Sequence, residues 1–371
     1  MLAAAAAAAL AFPFAARADV TVTGHGFGHG IGMPQYGAYG YALKTRHTDA
    51  YILAHFYPGT RLRNSGPRPV RVLLKQGTTL LVSDATRLAA AGRQPIGLRA
   101  DRTYRFEPDG AGLRVVDTRL ERTKAWMASA TTVTGAGGIV RLRGRAQNGV
   151  MSGRYRSELR VATDGTTVTA VNRLGMERYL YGVVPAEMPS VWPLEALKAQ
   201  AVAARSYALR SLRPGDAFDV YADVRSQVYK GVSGETTRTT KAVNATTADT
   251  LFYGSVVAAT YFHSSSGGRT ADIAEEWGGS PVPYLRSVSD PYDYLSPHHN
   301  WRLTFTTADA QRRLGSLVLG DLQGLRVANR NSSGRAAAVE ITGSAGTTTA
   351  SSAQIRTALG LRSTWFDIRV D

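Results

Sequence analysis

Gly24, Gly26, Gly28, Gly30 and Gly32 fall at every second position, with His25, Phe27, His29 and Ile31 between them. If this stretch is extended, the five glycines share one face. A face without side chains admits another backbone or a flat ligand at close range. No window fits G-x-G-x-x-G and no Gly-Lys pair exists, so this is not a nucleotide loop. Two histidines and the following Met33-Pro34-Gln35-Tyr36-Gly37-Ala38 set it apart from a linker. His25 and His29 raise the question of a metal, but no carboxylate stands at ligand spacing beside them, and no metal is assigned.

Residues 1–18, MLAAAAAAALAFPFAARA, form an apolar stretch ending in Ala16-Arg17-Ala18, an A-x-A type cleavage site. The stretch is short for a membrane span, and it is read as a signal peptide. No later segment approaches 18 consecutive apolar residues, so no transmembrane segment is expected in the mature chain. A secreted or wall-associated location follows from that reading. The 371 residues contain no cysteine, which excludes disulfides, thiol nucleophiles and thiolate zinc sites. The net charge of +16, carried by 38 Arg and 6 Lys against 28 acidic residues, suits a polyanionic partner: nucleic acid, anionic membrane or cell wall.

Residues 19–23 alternate like a short strand, and residues 35–43 and 50–55 are predicted helices. Residues 65–150 consist of short alternating runs separated by Gly, Asp and Pro, a β-rich insertion or accessory module. Residues 156–162 and 167–172 flank an Asp164-Gly165 turn, and a helix is predicted from Gly175 or Met176. The clearest helix follows Pro193, with Leu194, Leu197, Ala201, Ala204 and Ala208 on one stripe. Two short helices are predicted at Thr307–Leu314 and Ser352–Leu359. The pattern is α+β: a mixed β-sheet core (151–371) with a long helix beside a substrate groove, a segment 19–64 packed onto that core, and a small all-β module.

Glu187 stands on Pro185-Ala186-Glu187-Met188-Pro189, read as a proline-stiffened turn before the long helix. Partial desolvation there would raise its pKa toward the range of a general acid, whereas a plain structural role would be to complement the helix dipole. Lys198 and Arg205, seven residues apart, share a helix face and suit either an acidic substrate or solvent. Tyr261-Phe262-His263-Ser264-Ser265-Ser266-Gly267-Gly268 is a hydroxyl-rich loop suited to sugar hydroxyls. It lacks G-x-S-x-G, and His263 directly precedes the serines, which argues against a serine nucleophile.

Together these segments resemble the stage II sporulation protein D / amidase-enhancer family. The resemblance is carried by residues 177–189, by 192–209 from Trp192 through Lys198 and Arg205, by Gln227-Val228-Tyr229-Lys230-Gly231, by 261–270 and 283–290, and by 28–38 and 52–60. It implies a peptidoglycan-directed protein with Glu187 as the family's catalytic acid. Lys198 and Arg205 are the implied basic residues, and Gln227, Tyr229, His25, His29, Gln35, Tyr261, His263, Ser264, Ser265 and Ser266 are assigned to substrate binding. Zinc-binding family members carry Cys and His-Cys where this chain has Val220, Arg225 and Ser226, so no cofactor is expected. The Gly-His-Gly motif usually follows the family's last strand; here it stands at the N-terminus. If the fold is kept, residues 19–24 must lie near residues 368–371.

A lone acid suits a lytic transglycosylase better than a hydrolase, which usually needs two carboxyls. The acid protonates the glycosidic oxygen, the substrate's C6 hydroxyl attacks C1, and the carboxylate takes the hydroxyl proton. The first expectation is therefore an exported lytic transglycosylase acting on peptidoglycan glycan strands. The second is a non-catalytic wall-binding activator of an N-acetylmuramoyl-L-alanine amidase, with that amidase as partner. Nucleic-acid binding, resting on charge alone, is the weakest reading and is not adopted.

Overall fold

A computed structural model describes residues 19–370. The expected signal peptide, residues 1–18, lies outside the described residues. The architecture is α+β, built on an 11-stranded, mainly antiparallel sheet with smaller sheets beside it.

The large sheet crosses the boundary expected at residue 150. The strands Ala130–Leu142 and Arg154–Thr163 pair antiparallel from Ala130↔Ala162 to Arg141↔Arg154. Arg154–Thr163 pairs in turn with Val168–Gly175, and that strand with Pro69–Gly77. Leu80, Phe106, Val115 and Val133 are buried in the same cluster as Leu159, Val161, Tyr179 and Val184. The region 65–150 thus shares one hydrophobic core with the segment that follows it. Its strands reach this core because their alternating apolar residues all face inward.

Four helices position the site. They are α1 (Gln35–Lys44), α2 (Asp49–Phe56), α3 (Met176–Glu187) and α4 (Leu194–Arg210). The sequence predicts a turn around Glu187, but α3 continues through Pro185 and Glu187 is its last residue. Pro185 has no N–H to give the Tyr181 carbonyl, and α3 ends two residues after it. The sequence of α4 is rich in alanine because the helix is buried on two sides. Ala201, Ala204 and Ala208 join the sheet core, whereas Ala196, Ala199, Val202 and Ala203 join a second core with α1 and α2. Small side chains let one helix approach both layers closely. The helix starts at the Pro193 N-cap.

The third cluster holds the first and last strands of the described residues. The strand Asp19–His25 lies between Asn300–Thr306 and Phe366–Val370, antiparallel to both. Its register with the C-terminal strand is Val20↔Val370, Val22↔Ile368 and Gly24↔Phe366. The closeness of these strands required by the permuted motif order is therefore met. Val20, Val22, Phe366 and Ile368 are buried together. The helices Thr307–Leu314 and Ser352–Leu359 form with the predicted bounds, the second closed by a Ser351/Gln354 capping box. Among the described residues no helix is long and apolar enough to cross a membrane.

Candidate functional site

Glu187 sits at the seam of the first two cores: Val183 and Val184 of α3 pack on the sheet, and Met188 packs in the helical cluster. Its Oε1 accepts the Val228 N–H at 3.3 Å, and its Oε2 accepts Gln35 Nε2 in a weak bond at 3.5 Å. Burial pushes the carboxyl above its ordinary pKa, and these two donors hold it back only in part.

The segment Gln227-Val228-Tyr229 explains why one amide points at the acid. Gln227 is buried, accepts the Tyr179 hydroxyl at 3.1 Å and donates to the Ala204 carbonyl at 3.3 Å. Tyr229 is buried and donates to Asn172 at 2.8 Å. Both side chains, assigned from sequence to substrate binding, are anchors in the core. They lock the backbone on either side of Val228, whose N–H reaches Glu187.

The two basic residues assigned to substrate binding are also engaged within the protein. Arg205 is 1% exposed; it binds Glu177 at 2.5 and 3.0 Å and donates to the Asp249 carbonyl at 3.0 Å. Lys198 pairs with Glu195 at 2.7 Å, and the other oxygen of Glu195 accepts the Asp49 N–H at 3.0 Å. Arg205 thus ties α4 to the start of α3, and Lys198 belongs to the α4–α2 contact. Their shared face does not converge on Glu187.

The glycine run is not extended. Gly26, Gly28, Gly30 and Gly32 have φ of +75°, +117°, +79° and +73°, and each meets a different neighbour. A Cβ at Gly32 would lie 2.0 Å from the Tyr261 carbonyl oxygen, and one at Gly28 would lie 2.8 Å from His263 Cβ. The close partner is the protein itself, the hydroxyl-rich loop above all, rather than a flat ligand. His29 is neutral by geometry: Nδ1 accepts the Ile31 N–H at 3.0 Å, so Nε2 carries the proton and donates to the Phe262 carbonyl at 3.0 Å. Burial lowers its pKa to about 4. His25 stands apart, its Nδ1 2.7 Å from Asn300 Oδ1.

The loop serines do not all face outward. Ser265 donates to Asp293 at 2.8 Å and Ser266 to Asp290 at 2.6 Å, with both carboxylates buried. Asp293 also faces His299 at 2.8 Å. Ser264 is half-buried and its carbonyl accepts the Tyr36 N–H at 3.0 Å. His263 is buried, with Nδ1 3.2 Å from the Ile31 carbonyl. Sequence reasoning missed this acid pair; Asp290 closed a quoted motif, but nothing local marked it as buried.

Aromatic rings cluster on the helices that carry Gln35 and Arg205 and on the segments next to them. Beside Gln35, Tyr36 and Tyr39 lie 5.0 and 4.6 Å from the Trp192 ring. Tyr207, whose pKa is raised mainly by burial, lies 6.0 Å from Tyr261, and Tyr261 lies 4.9 Å from the exposed Trp277. His29 is 5.1 Å from Trp277. Of this second group, Tyr261 and His29 were assigned from sequence.

Comparison with known proteins gives these motifs their context. The family model for Stage II sporulation protein (SpoIID) matches residues 164–253, which carry Glu187, Lys198, Arg205 and Gln227. The chain is similar to stage II sporulation protein D of Bacillus subtilis, at 33% identity over 54% of this chain and 62% of that protein. The Bacillus amyloliquefaciens protein of the same name is 32% identical over the same shares. An amidase enhancer of Bacillus subtilis is 44% identical over 34% of this chain and 17% of its own length. The chain is thus similar to proteins named for stage II sporulation and to an amidase enhancer, and the family model covers about a quarter of it. It spans about three fifths of its sporulation relatives and about a sixth of the amidase enhancer.

These similarities also correct one expectation. The relative named amidase enhancer, at 44% identity, stands against a lytic transglycosylase and against enzymatic activity of this chain. The side chains agree with that correction, since the cations expected to assist Glu187 are bound to Glu195 and Glu177.

Proposed function

We propose that this chain is an extracytoplasmic cell-wall-binding protein that activates an N-acetylmuramoyl-L-alanine amidase without cleaving glycan itself. The observation that carries this reading is the 44% identity to a protein named amidase enhancer. The arrangement around Glu187 supports it. A carboxyl with pKa raised by burial, together with the Trp192, Tyr36 and Tyr39 cluster that adjoins Gln35 and the Tyr261 and Trp277 pair that adjoins Tyr207, suits a groove for sugar rings. Aromatic faces pack on the apolar faces of sugars, and Glu187 and Gln35 supply hydrogen bonds to hydroxyls and acetamido groups. Peptidoglycan glycan strands are the partner that this chemistry fits, and the amidase is the second.

The test incubates purified wall with an N-acetylmuramoyl-L-alanine amidase, with and without this protein, and follows release of stem peptides. Faster release in its presence, with no new reducing or 1,6-anhydro sugar ends from the protein alone, is the expected result. Glycan cleavage by the protein alone, or an unchanged amidase rate on wall that the protein binds, overturns the proposal.

A further inference from the structure

The large sheet carries a basic cavity that shares no residue with the Glu187 site. It measures about 480 Å³ and is walled by small residues at 89–91 and 128–132, with Arg93, Arg160 and Arg173 lining it. That volume suits a ligand segment rather than a single ion.

The three arginines differ in how they are held. Arg173 pairs with Glu158 at 3.0 Å, and Arg93 donates to the Trp126 carbonyl at 3.2 Å. Arg160 is half-buried, and among the described residues its side chain has no hydrogen bond, ion pair or ring contact. A guanidinium with five unused donors in a fixed fork is suited to an oxyanion. Beside the cavity, the strand Arg122–Met127 exposes Arg122, Lys124 and Trp126. Across residues 65–150 there are 15 Arg or Lys against 6 Asp or Glu, so more than half of the chain's net charge lies there.

Basic residues on a sheet often protect an open edge from pairing with other chains. That explains Arg122 and Lys124 but not Arg160. Its strand is paired on both sides, Arg160 standing opposite Thr132 on one and Val171 on the other. An interior strand needs no such protection.

We propose that this cavity binds a flexible polyanion, with phosphate or carboxylate groups taken up by Arg93, Arg160 and Arg173. The ligand is an acidic polymer distinct from the neutral sugar rings fitted to the Glu187 groove. Small walls admit its backbone, and three forks spaced around the cavity receive successive charges.

Poly(glycerol phosphate) and polyglutamate are the probes, with a neutral chitin oligosaccharide as control, and binding to the whole protein is measured by calorimetry at low salt. The protein binds one or both polyanions, and which one it prefers identifies the anion. Arg160→Ala weakens that binding about tenfold, the loss of one charge-assisted contact. Arg93→Ala, on an exposed loop where folding is not at risk, weakens it in the same direction. Arg286→Ala, an equal charge change at another exposed position, leaves it within about twofold, as a surface charge far from the contact should. Equal losses in Arg160→Ala and Arg286→Ala, or no preference for polyanion over the neutral oligosaccharide, overturn the site. Tighter binding of a DNA oligonucleotide than of poly(glycerol phosphate) at equal charge overturns the ligand assignment. None of these readouts depends on the amidase.

Discussion

The guanidinium of Arg335 packs directly on Gly30: a Cβ added there would lie 2.6 Å from its Cζ. Arg335 is buried and donates to the Ser266 and Arg269 carbonyls at 2.8 and 3.1 Å. One cation from the C-terminal region therefore pins both the glycine run and the hydroxyl-rich loop. Burial lowers its pKa to about 10, so it stays charged at neutral pH.

Gly30→Ala meets both this clash and a φ of +79°. It should lower unfolding free energy by about 1–3 kcal/mol. Gly66→Ala is the matched control, with φ of +67° and nothing within 4 Å of the new methyl. It carries the conformational penalty alone and should cost about 1 kcal/mol. Urea melts of both variants check this, and an equal cost would show that Arg335 yields freely.

Asp290 gives a pH dependence with a definite sign. Burial, with Asp293 nearby, raises its pKa from 3.8 to about 7. Between these values the folded state holds a proton that the unfolded state releases, so this group lowers stability as pH rises, by up to about 1.4 kcal/mol per pH unit. The contribution levels off above the folded value. His29, held near 4 by burial, gives the opposite slope below its ordinary value of 6.5. The readout is therefore the difference between wild type and Asp290→Asn. Relative to wild type, Asp290→Asn should gain stability steadily as pH is raised through this window. A constant difference across that range would mean that Asp290 does not titrate there.

Arg205 is a buried cation that ties α4 to the start of α3. Removing it leaves Glu177 and the Asp249 carbonyl without their main donor. Arg205→Met should cost about 3 kcal/mol in a denaturant melt, because breaking a buried pair strands the other charge. The double variant Arg205→Met/Glu177→Gln should recover part of that loss. A fully additive double variant would contradict the pairing.

Local signals account for much of what the sequence revealed. Helical periodicity and the alternation of 19–23 act within a few residues, and those elements form as predicted. The closeness of the first and last strands was legible because a motif order demanded it. What escaped was set by contacts distant in sequence. The apparent independence of 65–150 came from its lack of motifs, yet its apolar faces join the core of later strands. The direction taken by Lys198 and Arg205 depends on Glu195 and Glu177, and helical spacing says nothing of which partner wins. The glycine alternation suggested an extended strand, whereas positive φ at alternate positions gives the same spacing with a different path. Asp290 and Asp293 became a buried pair only through the fold around Ser265 and Ser266.

The proposed groove makes a contrasting prediction for its two walls. Trp192 contributes packing surface beside Tyr36 and Tyr39, so Trp192→Ala should weaken glycan binding by about three- to tenfold, the scale of one aromatic contact. Glu187 is different. Its carboxyl is pushed toward the protonated form by burial, and Gln is close to it in shape and retains hydrogen bonding. Glu187→Gln should therefore bind glycan within about twofold of wild type, since the amide keeps the side chain's shape and a hydrogen-bonding group in the same place. Glu187→Lys places a long cation against the Val228 N–H and should abolish binding. Co-sedimentation with purified wall, read beside thermal melts of each variant, checks the series. Loss of binding in Glu187→Gln without loss of stability would mean that the ionised carboxylate, rather than a neutral hydrogen-bonding group, is what the glycan meets.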